Sequence, residues 1–127
     1  MSLTLKEYLA KVESGELNPK EVALQYLEKL KKTNSELFSF VRIHEAYVNT
    51  YADVFSKLPL KAAPIGIKDN IMLQYEVSSC GSKMLENYVA PYSATCVSKL
   101  EEAGALSLGK TNMDEFAMGS STENSYF

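Results

Sequence analysis

The chain has 127 residues, enough for one domain with a single core. It is 46% hydrophobic and 23% charged, ordinary for a soluble globular protein, and a net charge of −3 argues against sequence-independent nucleic-acid binding. Two cysteines, Cys80 and Cys96, without a CxxC and with His44 as the single histidine are too few for a zinc site, and two reduced thiols are expected.

In chain order, the N-terminus lacks a basic region followed by an apolar run, and no apolar stretch reaches the length of a membrane span. A cytoplasmic chain with no membrane partner is therefore expected. Thr4 and Glu7 form a capping box for a short helix, with Leu5, Tyr8, Leu9 and Val12 on one face and Gly15 as its stop. Asn18-Pro19-Lys20-Glu21 opens a second helix with an N-cap, a proline at the first helical position and an acid at the third. Val22, Ala23, Tyr26, Leu27 and Leu30 form its apolar stripe, and Lys29, Lys31 and Lys32 are placed in its last turn, where cations suit the helix dipole. Residues 38–43 partly alternate and predict a strand. A third helix is predicted over 45–56, ended by Leu58-Pro59-Leu60. Nothing up to this point has a catalytic pattern; these are packing elements or a partner surface.

Ala62-Ala63-Pro64-Ile65-Gly66-Ile67-Lys68-Asp69-Asn70-Ile71 predicts a short buried strand that delivers one lysine. Gly66 leaves room for a close backbone approach. A lysine at the end of a buried strand is costly unless paired, or neutral and in use. Taken alone, the stretch reads first as a surface lysine where a strand exits into a turn. Residues 77–82 form a small-residue loop and 83–88 a helical turn. Ser93 is placed as the cap of a helix through Val97, Leu100 and Ala103, with Gly104 as its stop. Ala105-Leu106-Ser107-Leu108 is a second buried strand leading into Gly109-Lys110-Thr111-Asn112, and residues 113–127 start amphipathic and become a Ser/Thr loop. Helices alternating with strands point to α/β layers.

Gly104-Ala105-Leu106-Ser107-Leu108-Gly109-Lys110-Thr111 fits the P-loop spacing. A working P-loop lies between a strand and a helix. Here a helix precedes the first glycine and the spacer reads as a strand, so phosphate binding is not expected. Glu101-Glu102 and Asp114-Glu115 are adjacent pairs that do not face each other on a helix, which speaks against paired-carboxylate hydrolysis. His44 sits in no triad-like motif and reads as structural. Lys68 and the serines around Ser79, Ser82 and 120–125 leave Ser-Lys nucleophile chemistry open. On spacing alone those serines read as a hydrogen-bonding loop.

Three runs together resemble the amidase signature family: Pro64-Ile65-Gly66-Ile67-Lys68-Asp69-Asn70, then Cys80-Gly81-Ser82-Lys83-Met84-Leu85, then residues 108–125, which begin Leu108-Gly109-Lys110-Thr111-Asn112-Met113-Asp114-Glu115-Phe116-Ala117-Met118-Gly119. Within the family the resemblance is to the A subunits of glutamyl-tRNA(Gln)/aspartyl-tRNA(Asn) amidotransferases, and it covers nearly the whole chain. It implies an α/β fold with helices packed on a mixed central sheet. Residues 1–127 are then the N-terminal portion of a single domain, 1–60 mainly helical and 61–127 the start of the catalytic core, with the sheet incomplete in this chain.

The family's Ser–cis-Ser–Lys triad puts its lysine at Lys68. In neutral form, that lysine accepts a proton relayed through the bridging serine, while the nucleophilic serine attacks the side-chain amide of glutamine and releases ammonia. The resemblance also implies that Ala117, Met118 and Gly119 line the substrate site. It places both triad serines downstream of Phe127, so Ser120, Ser121 and Ser125 do not stand in for them, and the 127 residues alone are expected to be inactive. Implied partners are the B and C subunits of a heterotrimer, with mischarged tRNA reached through the B subunit. The assembled enzyme uses ATP and Mg²⁺, and this chain is expected to bind no cofactor or metal. Two alternatives stay open: another hydrolase of the family acting on a small amide, and a non-catalytic interaction module.

Overall fold

The predicted caps set the first elements in the computed structural model, which describes residues 3–127. Helix α1 (Leu5–Glu13) begins where Glu7 N donates to Thr4 Oγ1 and Thr4 N donates to the Glu7 carboxylate at 2.8 Å. Helix α2 (Pro19–Leu37) begins where Asn18 Oδ1 accepts from Lys20 N and Glu21 N. It runs for 19 residues, past Lys29, Lys31 and Lys32, and no basic residue lies in its last turn. Nothing in Thr33-Asn34-Ser35-Glu36-Leu37 breaks a helix, so it stops only at Phe38, whose φ is +48°. Lys31 instead pairs with Glu45 at 2.6 Å, bridging α2 to the start of the next helix. Asn34 both donates to Phe40 O and accepts from Phe40 N at 2.8 Å, which starts strand β1 (Phe40–Ile43).

Helix α3 (Glu45–Phe55) leads through the turn at Leu58-Pro59 to strand β2 (Ala63–Lys68). Helix α4 (Thr95–Glu102) then delivers strand β3 (Ala105–Thr111). Ala94, not Ser93, is the N-cap of α4, with no side-chain hydrogen bond. Ser93 Oγ accepts from Gln74 N at 2.9 Å instead, tying together two segments of the long β2–α4 connection.

The sheet has the order β1-β3-β2, with β3 parallel to β2 and antiparallel to β1, so it is mixed. The main core gathers Ala23 and Leu27 of α2, Val48 and Ala52 of α3, and Leu106 and Leu108 of β3. Ile67 of β2, Leu73 and Val97 of α4 form a second cluster. Tyr8 closes the α1 end by donating to Lys61 O at 2.6 Å.

In the β2–β3 ladder, Ile65 faces Ser107 while the next residue, Gly66, faces Gly109, so Leu108 is the extra residue of a bulge. A Cβ at Gly66 would lie 2.8 Å from the Thr111 methyl, and one at Gly109 would lie 2.1 Å from Arg42 O. These are the close approaches that require glycine. Gly109 and Lys110, the heart of the P-loop-like run, are thus extended strand and wrap no anion. Among the described residues no helix is long and apolar enough to cross a membrane.

Candidate functional site

Lys68 is the last residue of β2 and faces Thr111, the last residue of β3. The two strands are parallel, so both deliver their carboxyl ends to one edge, where open α/β sheets place their ligands. The strand is buried at Ile67, 4% exposed, while Lys68 itself is exposed. Among the described residues none forms a hydrogen bond or ion pair with its ammonium.

The charge of Lys68 acts on Asp114, which organises the loop after β3. Its carboxylate accepts from Asn124 N and Thr122 N at 2.9 Å and from Ser121 N at 3.1 Å. The backbone N–H groups of Asn124 and Thr122, then that of Ser121 and the charge of Lys68, hold this carboxyl below its ordinary range. The loop closes tightly on it: a Cβ at Gly119 would lie 2.4 Å from Asp114 Oδ2. Ala117, Met118 and Gly119 are exposed on this loop, and Phe116 and Ala117 adopt left-handed φ values of +52° and +61°. Consecutive non-glycine residues there are strained, a feature that clusters at functional sites.

A second loop is built on Asp69, the residue after Lys68, which is fully buried. Its carboxylate accepts from Ser79 Oγ at 2.5 Å, Gly81 N at 3.0 Å and Ser79 N at 3.3 Å. Cys80 and Gly81 follow with φ of +54° and +66°. The two loops are stitched together: Phe116 N donates to Cys80 O and Tyr126 N to Gly81 O, both at 2.9 Å, and Ser82 Oγ donates to the Glu115 carboxylate. Ser79 and Ser82 therefore spend their hydroxyls on carboxylates. Ser125 Oγ likewise donates to Asn112 Oδ1. Each of these serines acts as a loop-builder, and none is poised as a nucleophile.

His44 is buried, with Nδ1 3.1 Å from Ser107 Oγ and Nε2 3.4 Å from Glu76 Oε2. Burial, and then the charges of Lys110 and Arg42, push its pKa down to about 4, so it is neutral near pH 7. Its role is structural. Glu101 is occupied by the Tyr47 hydroxyl, and Glu115 by Ser82. Cys80 and Cys96 are not bonded to each other.

Asp69 and Asp114 are the anchors that periodicity and spacing did not single out. Asp114 carries a local signal, an acid a few residues before the Gly119-Ser120-Ser121 run whose amides need an acceptor; Asp69 carries none, since the loop it holds begins at Val77, beyond Asn70-Ile71-Met72-Leu73-Gln74-Tyr75-Glu76.

The sequence profile of the Amidase family matches residues 21–127. The A subunit of the Thermus thermophilus glutamyl-tRNA(Gln) amidotransferase is 44% identical over 121 residues, which is 95% of this chain and 26% of that protein. Its counterpart in Methylacidiphilum infernorum is 42% identical over 124 residues, 97% of this chain and 25% of that one. Among solved structures, the A subunit of the Thermotoga maritima glutamyl-tRNA(Gln) amidotransferase superposes with a TM-score of 0.78 at 34% identity, covering 99% of this chain and 26% of that one. A chain from a vestigial complex tied to the origins of an s-triazine catabolic enzyme gives a TM-score of 0.88 at 27% identity, covering 96% of this chain and 29% of that one. The chain thus spans about a quarter of the length of these curated relatives. From the profile match across residues 21–127, with the shared fold of helices on a mixed, open sheet, the chain belongs to the amidase signature family.

Proposed function

We propose that this chain is the N-terminal part of the glutamine-hydrolysing A subunit of a tRNA-dependent amidotransferase. The observation that carries the reading is the 44% identity to such a protein over 95% of the chain. The exposed position of Lys68 at the carboxyl end of β2, beside the Asp114 loop, supports it. Residues 1–60 form the mainly helical N-terminal region, and 61–127 begin the catalytic core.

In this reading Lys68 is the base of the triad. It takes the proton that the nucleophilic serine loses through the bridging serine, both serines belonging to segments outside these 127 residues. The acyl-enzyme formed on the glutamine side chain releases ammonia, and water then releases glutamate. In this step Lys68 acts as the base in its neutral form. The exposed backbone of Ala117, Met118 and Gly119 lines the glutamine site. Ammonia passes to the B subunit, where ATP and Mg²⁺ activate the glutamate on mischarged tRNA, and the C subunit braces the assembly in the cytoplasm. The 127 residues contain a counterpart of the triad lysine but none of its serines, so by themselves they release no glutamate.

The test is glutamate release from glutamine by the full-length protein in complex with its B and C partners. Lys68→Ala should abolish turnover while glutamine binding survives, and normal turnover in that variant overturns the role of Lys68. The likeness to the peptide amidase from Stenotrophomonas maltophilia, a TM-score of 0.79 at 25% identity covering 91% of this chain and 26% of that one, favours a second reading, a hydrolase of the same family acting on another small amide. A full-length protein that ignores glutamine and cleaves a small amide without partners would establish that reading instead.

A further inference from the structure

Lys110 is the largest side chain buried to below 2% exposure, yet neither the P-loop pattern nor the proposed triad uses it. The bulge at Leu108 explains how it comes to be inside. Leu106 and Leu108 face the main core, and simple alternation would send Lys110 after them. The extra residue returns Lys110 to the side of the sheet that carries Ser107, beside Arg42 of β1. There its ammonium donates to Ile71 O and, at 3.0 Å, to Ser78 Oγ. Both acceptors belong to the chain that leaves Lys68: Ile71 follows the turn after β2, and Ser78 opens the loop that Asp69 holds.

A buried ammonium needs compensating charge. Burial disfavours the charged form of Lys110; Asp69, fully buried, is the foremost group favouring it, followed by Cys80 and Glu76, with Arg42 opposing. No direct contact joins Lys110 and Asp69. They are coupled through space and through the loop that each grips at a different point, Lys110 at Ser78 and Asp69 at Ser79 and Gly81.

We propose that Lys110 is a positioning residue that, together with Asp69, locks the segment of residues 69–82 onto β3 and so sets where Lys68 stands. The positional part concerns this chain alone; its catalytic consequence rests on the reading of Lys68 given above.

The experiment uses the full-length protein with its partners and compares Lys110→Met, Asp69→Asn and the double variant. Two quantities are read: amide hydrogen exchange in peptides covering 69–82, and kcat and KM for glutamine. Lys110→Met should speed exchange in 69–82 while leaving α2 unchanged, and should lower kcat by about 100-fold, the loss that a displacement of about 1 Å can cause. KM should change little, because Lys68 does not hold the substrate. The double variant removes both charges and should be less impaired than the product of the single effects. Unchanged exchange in Lys110→Met, or a double variant equal to that product, overturns the proposal. If Lys110→Met does not fold, Asp69→Asn decides: faster exchange in 69–82 with a lowered kcat supports the lock, and unchanged exchange there overturns it. A wild-type protein without glutaminase activity would overturn the functional reading alone, and exchange would still decide the positional one.

Discussion

Gly81→Ala tests whether the stitched loops are as tightly determined as they look. Gly81 has φ of +66°, which costs an L-residue about 1–2 kcal/mol. An added Cβ would also lie 2.6 Å from Met113 O, a backbone atom. Neither side can yield easily. Gly81 N is held by Asp69 and Gly81 O by Tyr126 N, while Met113 is 2% exposed and its N–H is bound to Asn112 Oδ1. Forcing a methyl into such packing costs a further 1–3 kcal/mol or so. Gly15→Ala is the control: its φ is +77°, but nothing lies within 4 Å of the added Cβ. Both variants gain the same unfolded-state entropy term, so it cancels in the comparison. Urea unfolding followed by far-ultraviolet circular dichroism should place Gly81→Ala below Gly15→Ala by about 1–3 kcal/mol. Indistinguishable midpoints would refute the argument that Met113 and Asp69 leave the loop no room.

The Asp114 loop gives a second test. Asp114→Asn replaces one acceptor oxygen by an amide that cannot accept from the backbone, so exchange at Ser121, Thr122 and Asn124 should accelerate; unchanged protection of all three would count against the carboxylate as their anchor. A third concerns pH. The unfolded chain protonates His44 near its ordinary 6.5, but the folded protein does so only near pH 4, so the contribution of neutral His44 is present above about 6.5 and is lost as pH falls towards 4. Its size is at most about 3 kcal/mol. Glu76, raised chiefly by burial, works the other way, because the folded state holds its proton to higher pH than the unfolded chain does. Stability at pH 7 and pH 5 should therefore differ less in His44→Gln than in the parent, and equal differences would remove His44 as the source.

Elements whose signals close within four residues were legible without a structure. Thr4 with Glu7, and Asn18 with Pro19 and Glu21, start α1 and α2 where the sequence predicts. Ends decided by distant partners were not. Helix α2 outran its lysines because its stop depends on Phe38 and on Asn34 reaching Phe40. Ser93 was taken up by Gln74, so α4 starts without a side-chain cap.

The site divides in the same way. Lys68 entered by resemblance; the local pattern alone describes a surface lysine, and it is exposed. Spacing alone reads the serines of the 77–82 loop as hydrogen-bonding groups, and Ser79 and Ser82 spend their hydroxyls in that way. The P-loop-like run was legible as strand because its spacer is apolar and β-prone. Its lysine was not, since nothing local tells a buried Lys110 from a solvated one.

The sequence by itself determined the order of helices and strands, the close approach at Gly66, and the family, because caps, periodicity and motifs are properties of neighbouring residues. Only the tertiary structure decided that β3 lies between β1 and β2, that Lys68 and the Asp114 loop share one edge, and that Asp69 and Lys110 are buried charges gripping the same loop. A charge can be buried only where its compensation is in place, and that compensation comes from residues about 40 positions apart in the chain.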